Sequence, residues 1–302
     1  MGPGQPLLDA FETRLQRVNH HLYGSDELLD RACFYALSRG GKRVRPLLTL
    51  LSRQLFTPGD DRLNPAAVAI EMVHTYSLIH DDLPMLDDDD LRRGFPTVHK
   101  EFDEPTALLA GDALLTDAFR VLADPACLGE SCDPGPDQPA RQVGMIRELA
   151  GAAGGAGGAG MVRGQMLDVY WTGRAGGGQA ELEDIHLNKT ARLIGAACAM
   201  GAIAGGAGPE DTRQLRLYGQ KLGMTFQLID DLLDEQDSDH TGKSSGKDRA
   251  QGKLTRVSVH GRAAAEELAR AWTAEARAML DGRGAPGKRL NDYATWLLNR
   301  SH

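Results

Sequence analysis

The densest run of chemically active side chains is acidic and lies at residues 80–94, in the sequence HDDLPMLDDDDLRRG. Six aspartates fall within ten residues there, at positions 81, 82 and 87–90. Carboxylates this close repel one another, and Mg²⁺, which prefers carboxylate, water and phosphate oxygens, relieves the repulsion. Pro84 interrupts the preceding helical pattern, so Asp87 can turn back toward Asp81 and Asp82. The segment is either a metal site or an acidic loop at a helix end.

A second acidic cluster closes the sequence FQLIDDLLD at residues 226–234. On a helix, Asp230 and Asp231 lie on the same side as Asp234, four and three residues further on. Leucine and isoleucine surround these carboxylates, so they border a core and need a cationic partner or a metal ion. A helix with surface acids is the simpler alternative. Two such clusters, each at the end of an apolar helix, seldom arise by chance.

Basic side chains accompany both clusters, although the whole chain has a formal net charge of -8. Metal ions on aspartates can bind one diphosphate while arginine and lysine bind another. As a set, these basic groups predict diphosphate chemistry, whereas each lysine alone would be an ordinary surface group. They lie in GGKRVRP at 40–46, in the pair Arg92–Arg93, at Lys189 beside Thr190, and at Lys243, Lys247 and Lys253.

Helices are the elements that must position these groups. No alternating strand pattern occurs, whereas apolar residues recur at helical spacing over 66–80, 106–122, 143–171, 185–204 and 212–234. The sequence predicts an all-α bundle of about ten helices. Residues 1–302 are expected to form one domain, because no domain linker is evident in the Gly- and Pro-rich breaks at 127–139, 173–178, 240–252 and 282–287.

Composition limits the classes of function. Hydrophobic residues make up 41% of the chain and aromatic residues 5%, which favours a large helical core. The net negative charge argues against nucleic-acid binding. No secretion signal or membrane-spanning stretch is present, and the four cysteines lack Cys-x-x-Cys spacing. We therefore expect a cytoplasmic protein with reduced thiols.

The order of these motifs resembles that of the trans-polyprenyl diphosphate synthases, most closely the bacterial-type farnesyl diphosphate synthases. The matching segments run from GGKRVRP through HTYSLIHDDLPMLDDDDLRRG, GMVRGQMLD and NKT to GMTFQLIDDLLD and two later GK pairs. The resemblance implies an isoprenoid synthase-type bundle around a central cavity, usually in a homodimer. Such an enzyme condenses isopentenyl diphosphate with an allylic diphosphate, dimethylallyl or geranyl diphosphate. It uses Mg²⁺, about three ions per active site, for which Mn²⁺ can substitute.

The resemblance also implies roles for individual residues. The metal ligands would be Asp81, Asp82, Asp87, Asp230, Asp231 and Asp234. The allylic diphosphate would contact Arg92, Lys189, Lys243 and Lys253, with Thr190 and Gln227 close by. The diphosphate of isopentenyl diphosphate would contact Lys42, Arg45, His74 and Arg93. Ionisation of the allylic C–O bond would depend on charge neutralisation by the catalytic residues, Asp81, Asp82, Arg92, Lys189, Asp230 and Lys243.

Product length is expected to depend on the helix that ends at the first aspartates. Tyr76 lies five residues before Asp81, and Ser77 lies four before it. In the farnesyl synthases that this chain resembles, a bulky aromatic here is the floor of the tail pocket, which predicts farnesyl diphosphate as the product. Alternatively, Tyr76 is only a core aromatic, and the enzyme makes geranylgeranyl or longer-chain diphosphates.

Three segments depart from the family pattern, and they bear on rate and chain length more than on fold. They are TRVS at 255–258, with Arg256 and Val257, Arg163 within GMVRGQ, and the Gly-rich run Gly151–Gly160. A non-catalytic subunit of a heteromeric prenyltransferase would typically lose aspartates from one motif, and both motifs are intact here. A di-iron protein or bundle-type hydrolase would need Glu and Glu-x-x-His ligands on facing helices, which the aspartate-rich pattern does not fit.

Overall fold

The computed structural model describes residues 3–58, 64–129, 138–174, 176–240 and 261–299, without the side chains of 234–240. Two compact units are distinguished within the chain. The N-terminal unit comprises Gly4–Arg147 and Met200–Gly206, and the C-terminal unit consists mainly of Glu148–Ala199 and Ala207–His302. The expectation of one domain over residues 1–302 stays a prediction.

The N-terminal unit is built around one largely buried helix, Pro65–Asp81. Its helices are α1 Gln5–Tyr23, α2 Leu28–Ser38, α3 Val44–Arg53, α4 Pro65–Asp81, α5 Val98–Glu101 and α6 Glu104–Ala123. Helix α4 begins where the side chain of Asn64 accepts a hydrogen bond from the N–H of Ala66 at 2.9 Å. It packs along α6 and is buried over most of its length, so its carboxyl end is rigidly placed.

A short antiparallel ribbon follows the first aspartate cluster. Strand β1 is Leu91–Arg92 and strand β2 is Phe95–Pro96, and the register pairs Arg92 with Phe95. Arg93 and Gly94, which connect the strands, both have positive φ, 56° and 81°. No pattern in the sequence predicts this ribbon, because two residues per strand are too few to produce an alternation.

The C-terminal unit contains the second aspartate cluster. Its helices are α8 Met161–Trp171, α9 Gln179–His186, α11 Pro209–His240, α12 Arg262–Ala278 and α13 Gly284–Leu298. Helices α7, Gln138–Ala153, and α10, Arg192–Ala204, contribute residues to both units. One face of α11 is buried by Leu228 and Leu232, which join Ala265 and Ala269 of α12 in a hydrophobic cluster.

Two helices that the sequence predicted as continuous are interrupted. Within 143–171, helix α7 ends at Ala153 and helix α8 begins at Met161, because the glycines between them disfavour a helix. The segment 185–204 contains a π-helical turn, Leu187–Ala191, between α9 and α10. The all-α class itself is confirmed.

Within the described residues, no helix is both long and apolar enough to cross a membrane. The cytoplasmic location stays a prediction.

Candidate functional site

The first aspartate cluster forms a compact turn at the end of α4. The N–H of Asp87 donates to the carbonyl of Asp81 at 2.9 Å, and the N–H of Asp89 donates to the carbonyl of Asp82 at 3.2 Å. The chain therefore reverses after Pro84 and brings Asp87 back beside Asp81, as the sequence predicted. Asp81 and Asp87 are partly exposed, so their carboxylates remain accessible to a ligand.

Asp82 differs from its neighbours because it is buried and already has a cationic partner. It is 3% exposed, and Arg92 donates to its carboxylate from Nε at 2.9 Å. Arg92 also reaches Asp89 at 3.1 Å. Burial raises the pKa of Asp82, and the charge of Arg92 opposes that increase. Arg92 thus neutralises part of the acidic cluster from within.

The donor set of this turn fits Mg²⁺ bound together with phosphate. Among the residues that the structure describes, no three His, Cys, Asp or Glu side chains converge as a complete ligand set for an ion. Mg²⁺ usually keeps several waters and binds through one or two carboxylates plus substrate phosphates. Asp81 and Asp87, which are partly exposed and joined by a backbone hydrogen bond, can supply that number of protein ligands.

The motif GGKRVRP divides into a structural arginine and residues that can face a ligand. Arg43 is 2% exposed and donates to Glu12 at 2.7 Å, Glu71 at 2.5 Å and the carbonyl of Leu37 at 2.8 Å. Lys42, in contrast, is exposed. The fold therefore uses Arg43 inside the unit and leaves Lys42 at its surface.

Arg45 and His74 lie in a region where positive charge exceeds negative charge. Arg45 is partly buried, and its Nε has no hydrogen-bond partner. Burial, and less strongly Arg93, lowers the pKa of Arg45 to about 10, although Glu71 opposes the shift. Burial first, and then Arg45 and Arg93, lowers the pKa of His74 well below its ordinary value. Such a region favours an anion, whose charge would balance the excess.

Arg93 packs over the glycines of the same motif. Its guanidinium donates to the carbonyl of Gly40, and a Cβ at Gly41 would overlap that guanidinium. Gly41 has φ of 130°, which also disfavours any other residue there. The two glycines therefore allow Arg93 to lie against GGKRVRP, so the motif and the ribbon contribute to one basic region.

A pocket with about 380 Å³ of empty space, which includes open solvent, adjoins this region. The guanidinium of Arg39 lies between two rings there, 3.9 Å from the centroid of Tyr35 and 4.4 Å from that of Phe95. Tyr35 also donates to the carbonyl of Pro96 at 2.8 Å. Arg39 was not among the predicted site residues, although its i, i+4 spacing from Tyr35 is a helical pair signal. Its stacking attaches the ribbon that carries Arg92 and Arg93 to α2.

In the C-terminal unit, the predicted ligands Lys189, Thr190 and Gln227 lie close together. Lys189 Nζ forms an ion pair with Asp168 at 2.5 Å. Thr190 Oγ1 donates to Gln227 Oε1 at 3.2 Å, and Gln227 Nε2 donates to Asp231 at 3.3 Å. Asp168 was not among the predicted site residues, although its position in GMVRGQMLD could have suggested a role. Of the residues named for the allylic diphosphate, Thr190 and Gln227 are therefore hydrogen-bonded to each other, and Lys189 is paired with Asp168.

The second aspartate cluster divides as the first does, into a buried and a more accessible carboxylate. Asp231 is 6% exposed and lies 3.9 Å from Nε2 of His186. Asp230 is partly exposed. This difference suits Asp231 to a supporting role and Asp230 to ligand contact. The side chain of Asp234, together with Lys243, Lys253, Arg256 and Val257, lies outside the described residues.

Tyr76 is packed inside the N-terminal unit, one turn before Asp81. It is 5% exposed, and its ring meets that of His80 edge to face at a centroid distance of 5.6 Å. Burial and the charge of Asp81 raise the pKa of Tyr76 to about 12, so the phenol is neutral. Ser77 is partly exposed and donates to the carbonyl of His74 at 2.8 Å. The control of product length by Tyr76 and Ser77 stays a prediction.

Comparisons with known proteins show the family to which this chain belongs. The family model described as polyprenyl synthetase matches residues 26–279. Among curated relatives, geranylgeranyl pyrophosphate synthase from Capsicum annuum is 40% identical, over 90% of this chain and 72% of its own. Farnesyl diphosphate synthase from Geobacillus stearothermophilus is 42% identical, over 85% of this chain and 83% of its own.

Solved structures lead to the same family. An FPP/GFPP synthase from Zymomonas mobilis is 31% identical with a TM-score of 0.82, over 97% of this chain and 98% of its own. A geranyltransferase from Helicobacter pylori, complexed with magnesium and isoprenyl diphosphate, is 34% identical with a TM-score of 0.74, over 97% of both chains. With two aspartate clusters and basic groups beside them, this chain belongs to the polyprenyl synthetase family and is a trans-prenyltransferase, a prenyl diphosphate synthase.

Proposed function

We propose that this prenyl diphosphate synthase binds Mg²⁺ through Asp81, Asp82 and Asp87, together with the diphosphate of an allylic substrate. The observation that carries the proposal is the hydrogen bond from the N–H of Asp87 to the carbonyl of Asp81. It brings the backbones of two partly exposed aspartates together where α4 ends. The Helicobacter relative that binds magnesium and isoprenyl diphosphate supports the same choice of ion.

The basic groups divide between the two substrates. Lys42, Arg45, His74 and Arg93 bind the diphosphate of isopentenyl diphosphate, and the charge excess around His74 and Arg45 supports this assignment. The allylic diphosphate is bound by Arg92, Lys189, Thr190 and Gln227, with Asp230 and Asp231 as further metal ligands. The roles of Asp234, Lys243 and Lys253 rest on the family resemblance alone.

The protein residues promote ionisation of the allylic substrate by balancing charge. When bound, Mg²⁺ supplies Lewis-acid neutralisation of the leaving diphosphate. Arg92 and Lys189 donate hydrogen bonds to the same group as its negative charge develops. The cations bind the diphosphate of isopentenyl diphosphate and so orient the molecule with its double bond toward the allylic carbon. The two reacting carbons are therefore already aligned when the new C–C bond forms. A proton then leaves for the departing diphosphate, and no protein nucleophile is required.

The proposed product is farnesyl diphosphate. Support comes from the bulk of Tyr76 and from its edge-to-face contact with His80, one turn before Asp81. The alternative product is geranylgeranyl diphosphate or a longer chain. Relatives of this chain include geranylgeranyl synthases at 40–43% identity and a farnesyl synthase at 42%, so identity does not separate the two products.

Product length can be tested with Tyr76→Ala. We expect the variant to make longer chains, because removing the ring opens space below the metal-binding turn. The measurement is chromatographic sizing of dephosphorylated products from labelled isopentenyl diphosphate with dimethylallyl, geranyl or farnesyl diphosphate. Tyr76→Phe, which keeps the ring, is the matched control and should give the wild-type product. An unchanged product from Tyr76→Ala would assign Tyr76 to the core only.

The metal site can be tested within the acidic cluster itself. Asp81→Asn should reduce Mg²⁺-dependent condensation by about 100-fold or more. Asp90→Asn is the control, because Asp90 belongs to the same acidic run but is exposed and pairs with Lys100 at 2.9 Å. Equal losses in both variants would contradict a specific site. A wild-type protein with no Mg²⁺-dependent product from any primer would favour a non-catalytic subunit.

We also propose that the enzyme is a homodimer. Leu108 and Leu109 of α6 are 42% and 56% exposed, and a second copy of the chain would cover such adjacent leucines. Leu109→Glu should shift the protein toward monomers in sedimentation velocity experiments. A wild-type protein that sediments as a monomer would contradict this proposal.

A further inference from the structure

The residues Lys189 and Thr190 lie in a backbone conformation that is rarely adopted. The turn Leu187–Ala191 is π-helical and connects α9 directly to α10, with no residue between the turn and either helix. A π turn accommodates one more residue than an α-helical turn, is less favourable, and occurs frequently at functional sites. Contacts from neighbouring segments must therefore stabilise it.

Asn188 supplies the first set of these contacts. It lies within the π turn and is 1% exposed. Its Nδ2 donates to the backbone carbonyl of Asp184 at 2.8 Å and to the Asp184 carboxylate at 2.6 Å. Its Oδ1 accepts from the N–H of Gly160 at 3.0 Å and from Nε of Arg192 at 2.8 Å. One buried amide therefore connects the turn to both helices beside it and to the Gly-rich run.

Arg163 supplies the second set from α8. It donates to Asp184 twice, from Nη1 to Oδ1 at 2.8 Å and from Nη2 to Oδ2 at 2.6 Å. The next residue, Gly164, lies so close to the π turn that a Cβ there would overlap the backbone nitrogen of Lys189. Arg163 thus fixes Asp184 at the point where α8 and the turn are in contact.

We propose that the Arg163–Asp184 pair, acting through Asn188, positions Lys189 and Thr190 and so sets the affinity for the allylic diphosphate. Arg163 is a positioning residue, since it acts through Asp184 and Asn188 and makes no substrate contact. The inference rests on the proposed function of Lys189 as a diphosphate ligand. It assigns a role to two departures from the family pattern, Arg163 and the Gly-rich run, whose Gly160 joins the same network.

A simpler account is that Arg163 and Asp184 form an ordinary surface ion pair. Their side chains are 28% and 40% exposed, and exposed pairs contribute little to stability. One feature distinguishes this pair. Oδ1 of Asp184, which accepts from Nη1 of Arg163, also accepts from Nδ2 of the buried Asn188. Loss of Arg163 would therefore be transmitted to the turn.

The primary test is a steady-state comparison of Arg163→Ala with the wild type. We expect KM for the allylic diphosphate to rise roughly tenfold, as for other residues that orient a ligand-binding side chain. KM for isopentenyl diphosphate should stay unchanged. Arg213→Ala is the matched control, because Arg213 also forms a bidentate pair, with Glu210 at 3.1 and 2.6 Å, but lies on the exposed start of α11. It should leave both constants unchanged.

A mutant cycle tests whether Arg163 acts through Asp184. Asp184→Asn keeps an acceptor for Asn188 but loses the charge that Arg163 engages, so it should raise the allylic KM by a similar factor. The double variant should be no worse than either single variant. Additive effects, or a change in Arg163→Ala that affects both substrates equally, would overturn the proposal and indicate general destabilisation.

Hydrogen exchange separates failure of this inference from failure of the proposed function. Amides 187–192 should exchange faster in Arg163→Ala than in wild type or Arg213→Ala. If the wild type condenses the substrates but Arg163→Ala matches it in KM and exchange, only the positioning role is wrong. If the wild type shows no condensation, the proposed function is wrong. In that case, unchanged hydrogen exchange of amides 187–192 in Arg163→Ala would overturn the positioning role as well.

Discussion

Arg43 and Lys42 are neighbours in GGKRVRP, yet the fold gives them different environments. The side chain of Arg43 has no exposed surface and pairs with Glu71, which is 1% exposed. Lys42 is exposed. A sequence motif of several cations therefore does not indicate which of them meets the substrate, because that depends on where buried carboxylates such as Glu71 lie.

Arg43→Ala should destabilise the protein strongly. Breaking a buried ion pair leaves an uncompensated charge on Glu71 and costs about 3–5 kcal/mol of unfolding free energy. Urea unfolding followed by circular dichroism would measure the loss. Lys42→Ala, the control at the adjacent position, should keep wild-type stability and instead raise KM for isopentenyl diphosphate. Equal stability of the two variants would contradict the structural role of Arg43.

His74 should make stability depend on pH. Its pKa in the folded protein lies well below the value of about 6.5 that it has when unfolded. Below about pH 6.5, His74 therefore takes up a proton more readily in the unfolded chain than in the folded protein. The contribution of neutral His74 to the free energy of unfolding is complete above about pH 6.5 and is lost as the pH falls below it. His74→Gln should lose less unfolding free energy than wild type between pH 7.5 and 5.5. The exposed His21→Gln variant should follow wild type, and parallel profiles for all three proteins would contradict the prediction.

At the scale of elements, the ribbon Leu91–Pro96 is attached to α2 by stacking of side chains. Arg39 lies between the rings of Tyr35 and Phe95, so the ribbon that carries Arg92 and Arg93 depends on a cation from another element. Each cation–π contact of this kind contributes about 0.5–2 kcal/mol.

Arg39→Leu should therefore weaken substrate binding without removing a substrate ligand. We expect KM for isopentenyl diphosphate to rise about threefold to tenfold, because Arg93 loses part of its support. Kinetic titration with isopentenyl diphosphate at saturating allylic substrate measures the change. Arg31→Leu, on the same helix but 5.9 Å from the centroid of Phe102, is the control and should have a smaller effect. An equal effect of both substitutions would exclude a specific role for the stacked arginine.

The sequence predicts long elements better than their junctions. Helix α4, the return of Asp87 and the all-α class could be inferred, because helix periodicity and Pro84 are local signals. The π turn at Leu187–Ala191 could not, since the segment keeps its apolar spacing and the irregularity is stabilised by Asp184 and Asn188. The pairing of Lys189 with Asp168 joins the π turn to α8, and no local sequence pattern indicates such a contact.

At the scale of the whole molecule, a chain with a net charge of -8 must bind substrates that are themselves anions. In the proposed site, local groups of cations bind these anions, and Mg²⁺ adds further positive charge beside Asp81 and Asp87. Binding of the anion and binding of the metal ion should therefore depend on each other.

This dependence predicts that pyrophosphate stabilises the protein only together with Mg²⁺. At a concentration of about 100 times Kd, the ligand adds about 2.7 kcal/mol, which raises Tm by roughly 5 °C. Differential scanning fluorimetry with pyrophosphate plus Mg²⁺, and with pyrophosphate plus a chelator, compares the two states. Asp81→Asn should reduce the shift and Asp90→Asn should not. An equal shift in the presence of the chelator would show that cationic side chains alone bind the anion.

The ion pair of Lys189 with Asp168 has a consequence for turnover. Lys189 already has an anionic partner when no diphosphate is bound, because Asp168 lies 2.5 Å from its Nζ. In the proposed binding mode, the diphosphate replaces Asp168 as the anionic partner of Lys189, so the net gain in binding free energy is the difference between two similar interactions. The same exchange runs backward when the diphosphate departs, and Asp168 takes the lysine again. We therefore expect this enzyme to bind its substrate less tightly, and to be less inhibited by the pyrophosphate that each condensation releases.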